Sequence, residues 1–111
     1  MVKMDLNTLP EEERIVYHTL NKLNRSEKRV LLKLIDGADK NQICEYPQVS
    51  REIRKLESVD LITLNYDYEG SQYSFFVMPK APQLLKKLKR PSNRKAVFGM
   101  WGLISSFSKS V

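Results

Sequence analysis

The sequence predicts a mostly helical α+β domain, and three observations carry that expectation. Apolar residues recur at helical spacing in several separate stretches. Two short runs near the middle alternate at the period of a strand, with a turn-rich segment between them. At 111 residues with 41% hydrophobic and 29% charged side chains, the chain can bury one core and no second one.

The first helix is expected over about residues 10–23. Thr8-x-x-Glu11 has the spacing of a capping box, and Pro10 is tolerated in a first turn. Val16, Leu20 and Leu23 follow at i, i+4 and i+7, with Ile15 widening the apolar face. After the interruption at 24–26, Ser26 can cap a second helix. Val30, Leu31, Leu34 and Ile35 form its buried stripe, and Gly37 is read as a left-handed C-terminal cap. Asp39 is expected to cap a short third helix carrying Ile43 and Cys44.

A fourth helix is expected over about 47–60. If Val49 points inward, Ile53 and Leu56 fall within about 40° of it at 100° per residue. The opposite side then holds Arg51, Arg54, Lys55 and Ser58, while Glu52 and Glu57 fall on the flanks. A cationic stripe free of acid suits a helix facing phosphates and base edges.

Residues 61–78 read as a hairpin. Leu61–Tyr66 and Gln72–Met78 are the strands, and 67–71 is a turn in which Gly70 is expected to supply positive φ. Pro79 ends the second strand. A basic helix over 80–90 follows, with Leu84, Leu85 and Leu88 inward and its lysines outward. The break at Pro91-Ser92-Asn93 separates it from a basic, amphipathic tail, 91–111, in which Val97, Met100, Trp101, Ile104 and Phe107 share one helical face.

The net charge of +6 is not spread evenly. Residues 1–60 hold 11 basic and 11 acidic side chains, whereas 61–111 hold 8 basic and 2 acidic. Seven of those basic residues (Lys80, Lys86, Lys87, Lys89, Arg90, Arg94 and Lys95) fall between 80 and 95 with no acid among them. A patch of one sign points to a polyanion, such as nucleic acid or an anionic membrane.

No enzyme is expected and no cofactor is implied. One His and one Cys cannot furnish an ordinary zinc site. The four glycines make no phosphate-cradling loop, and no strained Gly-x-Ser-x-Gly turn accompanies His18, which reads as a helix residue. Cys44 is expected to be a buried, inert thiol rather than a redox sensor. The polar start lacks the apolar stretch of an export signal, and Ala96–Ile104 is too short for the roughly 20 residues that span a bilayer, so a cytoplasmic location is expected.

This order of elements is that of a winged helix-turn-helix with a two-stranded wing and extra N- and C-terminal helices. The run from Val49-Ser50-Arg51 through Leu56-Glu57 to Leu61-Ile62 resembles the recognition helix and first wing strand of MarR-type regulators. Met78-Pro79-Lys80 before Leu84-Leu85 resembles the return from such a wing to a helix, so the resemblance covers about 26–90. Asp60 stands where that family often has Gly, and Asp tolerates the left-handed geometry. The acidic tip Asp67-Tyr68-Glu69 departs from the family's basic wing and is not expected to lie against DNA. Leu23–Leu31 and Phe76–Pro79 are also similar to the cytoplasmic part of phage superinfection-exclusion proteins, which carry membrane-spanning helices.

The resemblance implies a sequence-specific protein of double-stranded DNA, a small transcriptional regulator acting as a homodimer. Gln48, Ser50, Arg51, Arg54 and Lys55 would enter the major groove, with Arg51 or Arg54 placed for bidentate contact with guanine. Lys86, Lys87, Lys89, Arg90, Arg94 and Lys95 would hold the DNA backbone. The alternative is a protein-interaction or membrane-surface module of phage or plasmid exclusion type that uses the tail. In either case Val97, Met100, Trp101, Ile104 and Phe107 are the expected dimer or membrane contacts.

Overall fold

The computed structural model describes residues 6–94. They form a small α+β domain in which helices pack around a three-stranded antiparallel sheet. The helices are α1 (Glu11–Asn21), α2 (Arg25–Gly37), α3 (Arg51–Ser58) and α4 (Pro82–Leu88), preceded by a 3-10 turn at Leu6–Thr8. The strands are β1 (Ile43–Tyr46), β2 (Ile62–Leu64) and β3 (Tyr73–Val77), in the spatial order β1-β3-β2.

Helix α1 begins two residues later than its Thr8 signal predicts. Pro10 occupies the cap position without a side-chain bond, and its carbonyl accepts from the amides of Glu13 and Arg14 at 3.0 and 3.1 Å. Leu20 and Leu23 are buried and Val16 packs against the core, but Ile15 is 62% exposed, so the apolar face is narrower than expected.

Helix α2 is the centre of the domain, with Leu31, Leu34 and Ile35 wholly inaccessible and Leu32 nearly so. Its cap is Asn24, not Ser26. The Asn24 side chain accepts from the Glu27 amide at 2.8 Å while Glu27 accepts from the Asn24 amide at 2.9 Å, a complete capping box. Ser26 instead donates to the Asn24 side chain at 3.0 Å.

Gly37 has a different purpose from the one its position suggested. It is the last residue of α2, and the cap that follows, Ala38, is extended. A Cβ at Gly37 would sit 2.7 Å from the Cys44 sulfur. Glycine is therefore required by the close approach of α2 to β1 rather than by a left-handed turn. Cys44 is buried as expected, but on a strand.

The expected short helix at 39–44 is absent. Asp39 accepts from the amides of Asn41 and Ile43 at 2.8 and 3.0 Å, closing a tight turn that launches β1 instead. The β-branched Ile43 and the aromatic Tyr46 then pair with Phe76 and Tyr73 of β3. Gln42, at φ 67°, bonds the carbonyls of Val77 and Met78 through its amide at 3.2 and 2.8 Å and holds the end of β3. The expected two-stranded wing is thus part of a three-stranded sheet, and α3 follows β1 directly.

The hairpin register places Ile62 against Val77 and Leu64 against Phe75, with Ile62, Phe75 and Val77 in the core. Gly70 does not adopt the left-handed φ expected of it; the Tyr68 ring occupies the space where its Cβ would stand. The Tyr68 hydroxyl donates to the Glu45 carboxylate, so the loop folds back onto β1. Leu84, Leu85 and Leu88 of α4 are buried as predicted, and the helix is shorter than 80–90. Residues 91–94 are again helical, so Pro91 opens a turn rather than ending one. Among the described residues no helix is long and apolar enough to cross a membrane.

Candidate nucleic-acid interface

The cations expected to meet nucleic acid fall into two groups, and each is built by its own local physics. The first lies on α3. Ser50, extended at φ −90°, accepts from the Ile53 amide at 3.2 Å and caps the helix. Ile53 and Leu56 are wholly buried, which turns Arg51, Arg54, Lys55 and Ser58 outward, all exposed. Glu52 and Glu57 lie half-buried on the flanks.

The Glu52 carboxyl is held below its ordinary pKa, chiefly by its own backbone amide; the Ser26 and Ser50 hydroxyls and the Arg51 charge act in the same direction, against desolvation. Its ionised form therefore stays at the edge of the stripe, 4.0 Å from Arg51. At the other end, Asp60 adopts φ 63°, the left-handed turn expected of it, and pairs with Lys80 at 3.2 Å. Both partners are largely exposed, so this pair contributes at most about 1 kcal/mol.

The predicted reading helix is therefore trimmed at both ends. It spans 51–58 rather than 47–60. Val49 precedes the helix and is 37% exposed, because the turn of chain that would have carried it inward is extended. Gln48 is exposed in the same approach segment. Ser50 is occupied as the cap, so its hydroxyl is a positioning group for α3 rather than a free reader of bases.

The second group lies on α4, whose two ends are closed by side chains distant from it. At the start, Ala81 offers no side-chain cap; the carboxylate of Glu13, 4% exposed on α1, accepts from the Leu84 amide at 2.8 Å. A buried anion at a helix start matches the positive end of the helix dipole. At the finish, Asn93 donates to the Lys87 carbonyl and Arg94 Nε to the Leu88 carbonyl, each at 2.8 Å. The periodicity of α1 does not mark Glu13, which looks like one of three solvated acids ahead of the apolar stripe.

Arg94 departs from its expected role. It is 3% exposed and its guanidinium pairs with Asp36 at the end of α2, so its charge is spent inside the domain rather than on a phosphate. Lys86, Lys89 and Arg90 are exposed and Lys87 is half-buried. Lys89 donates to the Ala38 carbonyl, which draws its ammonium toward the α2–β1 loop. Lys95, Val97, Met100, Trp101, Ile104 and Phe107 lie outside the described residues, and with them the expected dimer or membrane contacts.

The two basic groups sit at opposite ends of α2. The first turn of α3 lies beside Ser26, at the start of α2, whereas Lys86 and Lys89 line a cleft with Ala38 and Lys40, just past its end. Thirteen residues at 1.5 Å per residue separate them by about 20 Å. The acidic residues Asp67 and Glu69 of the hairpin loop are exposed and belong to neither group. No family model, no curated protein and no solved structure matches this chain.

Proposed function

We propose that this chain is a sequence-specific double-stranded DNA-binding protein, a small transcriptional regulator built on a winged-helix-like domain. The observation that carries the reading is the outward face of α3. It presents Arg51, Arg54 and Lys55 together, exposed and without an intervening acid, on a helix anchored by two wholly buried residues. A rigid helix with a guanidinium in its first turn suits the major groove, where Arg bonds the O6 and N7 acceptors of guanine.

The order α2-β1-α3-β2-β3 with the sheet arranged β1-β3-β2 supports the winged-helix-like assignment. The chain departs from that plan in having β1 where a helix would precede the reading helix. The hairpin loop, tied to Glu45 through Tyr68 and carrying Asp67 and Glu69, would face away from the phosphates.

The test is selection of bound sequences from a random duplex pool, followed by competition binding with the selected site. Arg51→Ala is expected to lose about 1–3 kcal/mol of discrimination between the selected and random duplexes. Lys86→Ala is expected to weaken both equally. Equal loss on both duplexes from both substitutions removes the assignment of α3 as the reading helix.

A further inference from the structure

Helix α4 carries two adjacent concave surfaces that share Lys86. Pro82, Leu85, Lys86 and Lys89, at i, i+3, i+4 and i+7, line one side of a cleft of about 500 Å³ whose other side is Ala38–Lys40 and Gln42. The next stripe around the helix, Gln83, Lys86, Lys87 and Arg90, lines a second cleft with Asn93. Five cations border the pair of clefts, counting Lys40 with Lys86, Lys87, Lys89 and Arg90, against one acid, Asp39.

That acid is already committed. Its pKa is lowered first by the Ile43 amide and then by the Asn41 amide, the two bonds that shape the turn, with Lys89 and Lys40 adding to the effect. The bond from Lys89 to the Ala38 carbonyl orients an ammonium that has three donors, so it does not exhaust it. The first cleft has an apolar floor of Ala38, Pro82 and Leu85, which suits the faces of sugars between charged groups. Lysine ammoniums are point charges and do not impose the planar fork that reads a base or a carboxylate.

From this we infer that α4 and the α2–β1 loop form a seat for consecutive phosphodiester groups of duplex DNA. The seat takes the backbone without regard to sequence, and Lys40, which sits in the charge-neutral half of the sequence, is one of its contacts. The inference rests on the DNA-binding reading but not on α3 as the reader, since the seat lies about 20 Å away along α2.

The experiment measures binding of the full chain to a random 20-base-pair duplex between 50 and 200 mM salt by fluorescence anisotropy. Each phosphate contact contributes about −0.9 to the slope of log K against log salt. Lys40→Gln and Lys86→Gln are each expected to make the slope shallower by about 0.9, and the double variant by about 1.8. The ratio of affinities for selected and random duplexes should not change. Lys33→Gln removes an exposed charge of α2 that lines neither cleft and is expected to leave the slope as it is.

An unchanged slope in Lys40→Gln and Lys86→Gln, or an equal change in Lys33→Gln, overturns the seat. Loss of discrimination in Arg51→Ala alongside it leaves the α3 reading standing. The reverse pattern, a shallower slope with discrimination unaffected by Arg51→Ala, supports the seat and removes the reader. Binding to vesicles containing phosphatidylserine, with no binding to duplex, overturns both.

Discussion

Helices α3 and α4 both face solvent with cations, yet their charges are held in place differently. On α3 the acid-free stripe follows from local sequence alone: Ser50 caps, Ile53 and Leu56 bury, and the remaining face is basic. Along α4 and the segment after it the sequence carries Lys86, Lys87, Lys89, Arg90 and Arg94, but the tertiary structure sorts those charges. Arg94 turns inward to Asp36, Lys89 leans to the Ala38 carbonyl, and Lys86 and Arg90 are left to solvent. A cluster of like charges in sequence is therefore not one surface. Its members divide according to which carbonyls and carboxylates the fold leaves within reach.

The substitution expected to disturb this comparison most is Arg94→Ala. It leaves the mostly buried Asp36 without its guanidinium and uncaps α4, so it should cost about 3 kcal/mol in denaturant unfolding. An effect under about 1 kcal/mol would mean that Arg94 belongs with the solvent-facing charges after all. Next is Glu13→Ala, which removes the carboxylate that accepts from the Leu84 amide at the start of α4. Its expected cost is about 2 kcal/mol, with Glu13→Gln recovering part of it because an amide oxygen still accepts the Leu84 proton.

Gly37→Ala tests the close approach of α2 to β1. The new methyl meets the Cys44 sulfur, so a loss of about 1–3 kcal/mol is expected. Combining it with Cys44→Ala should return part of that loss, a coupling a left-handed cap would not show. Ser50→Ala removes the cap of α3 and should cost about 1 kcal/mol, without the effect on salt slope expected of Lys86→Gln.

The smallest effect concerns pH. Asp39 has a folded pKa below its ordinary value, so its contribution is present above that ordinary value, 3.8, and is lost as pH falls through the folded one. Thermal melts should therefore show Asp39→Ala less stable than the parent near neutrality, with the gap closing in acid. A gap independent of pH would assign the turn to backbone geometry alone.

Much of the secondary structure was legible because it depends on short-range rules. The stripe Leu31, Leu34 and Ile35, the hairpin of β2 with β3, and the left-handed Asp60 follow from periodicity, alternation and the tolerance of Asp for positive φ. The segment 39–46 is ambiguous in sequence because an Asp before a few mixed residues suits a helix cap and a tight turn equally. A vacant edge of β3 decided for the strand. At the candidate interface, the cations of α3 were legible because helical geometry alone orients them. Lys40 and Arg94 were not, because their places depend on residues 46 to 58 positions away.

The sequence by itself determined where helices and strands could form, which faces they would bury, and that an acid-free cationic stripe would lie opposite Ile53 and Leu56. Tertiary structure alone decided which charges remain outside. It placed Glu13 at the start of α4 and Arg94 at its end, turned 43–46 into a third strand, and brought Lys40 beside Lys86. The physical reason is range. Backbone periodicity acts over a turn or two of chain, whereas burying a charge requires a partner, and only the folded chain brings that partner within bonding distance.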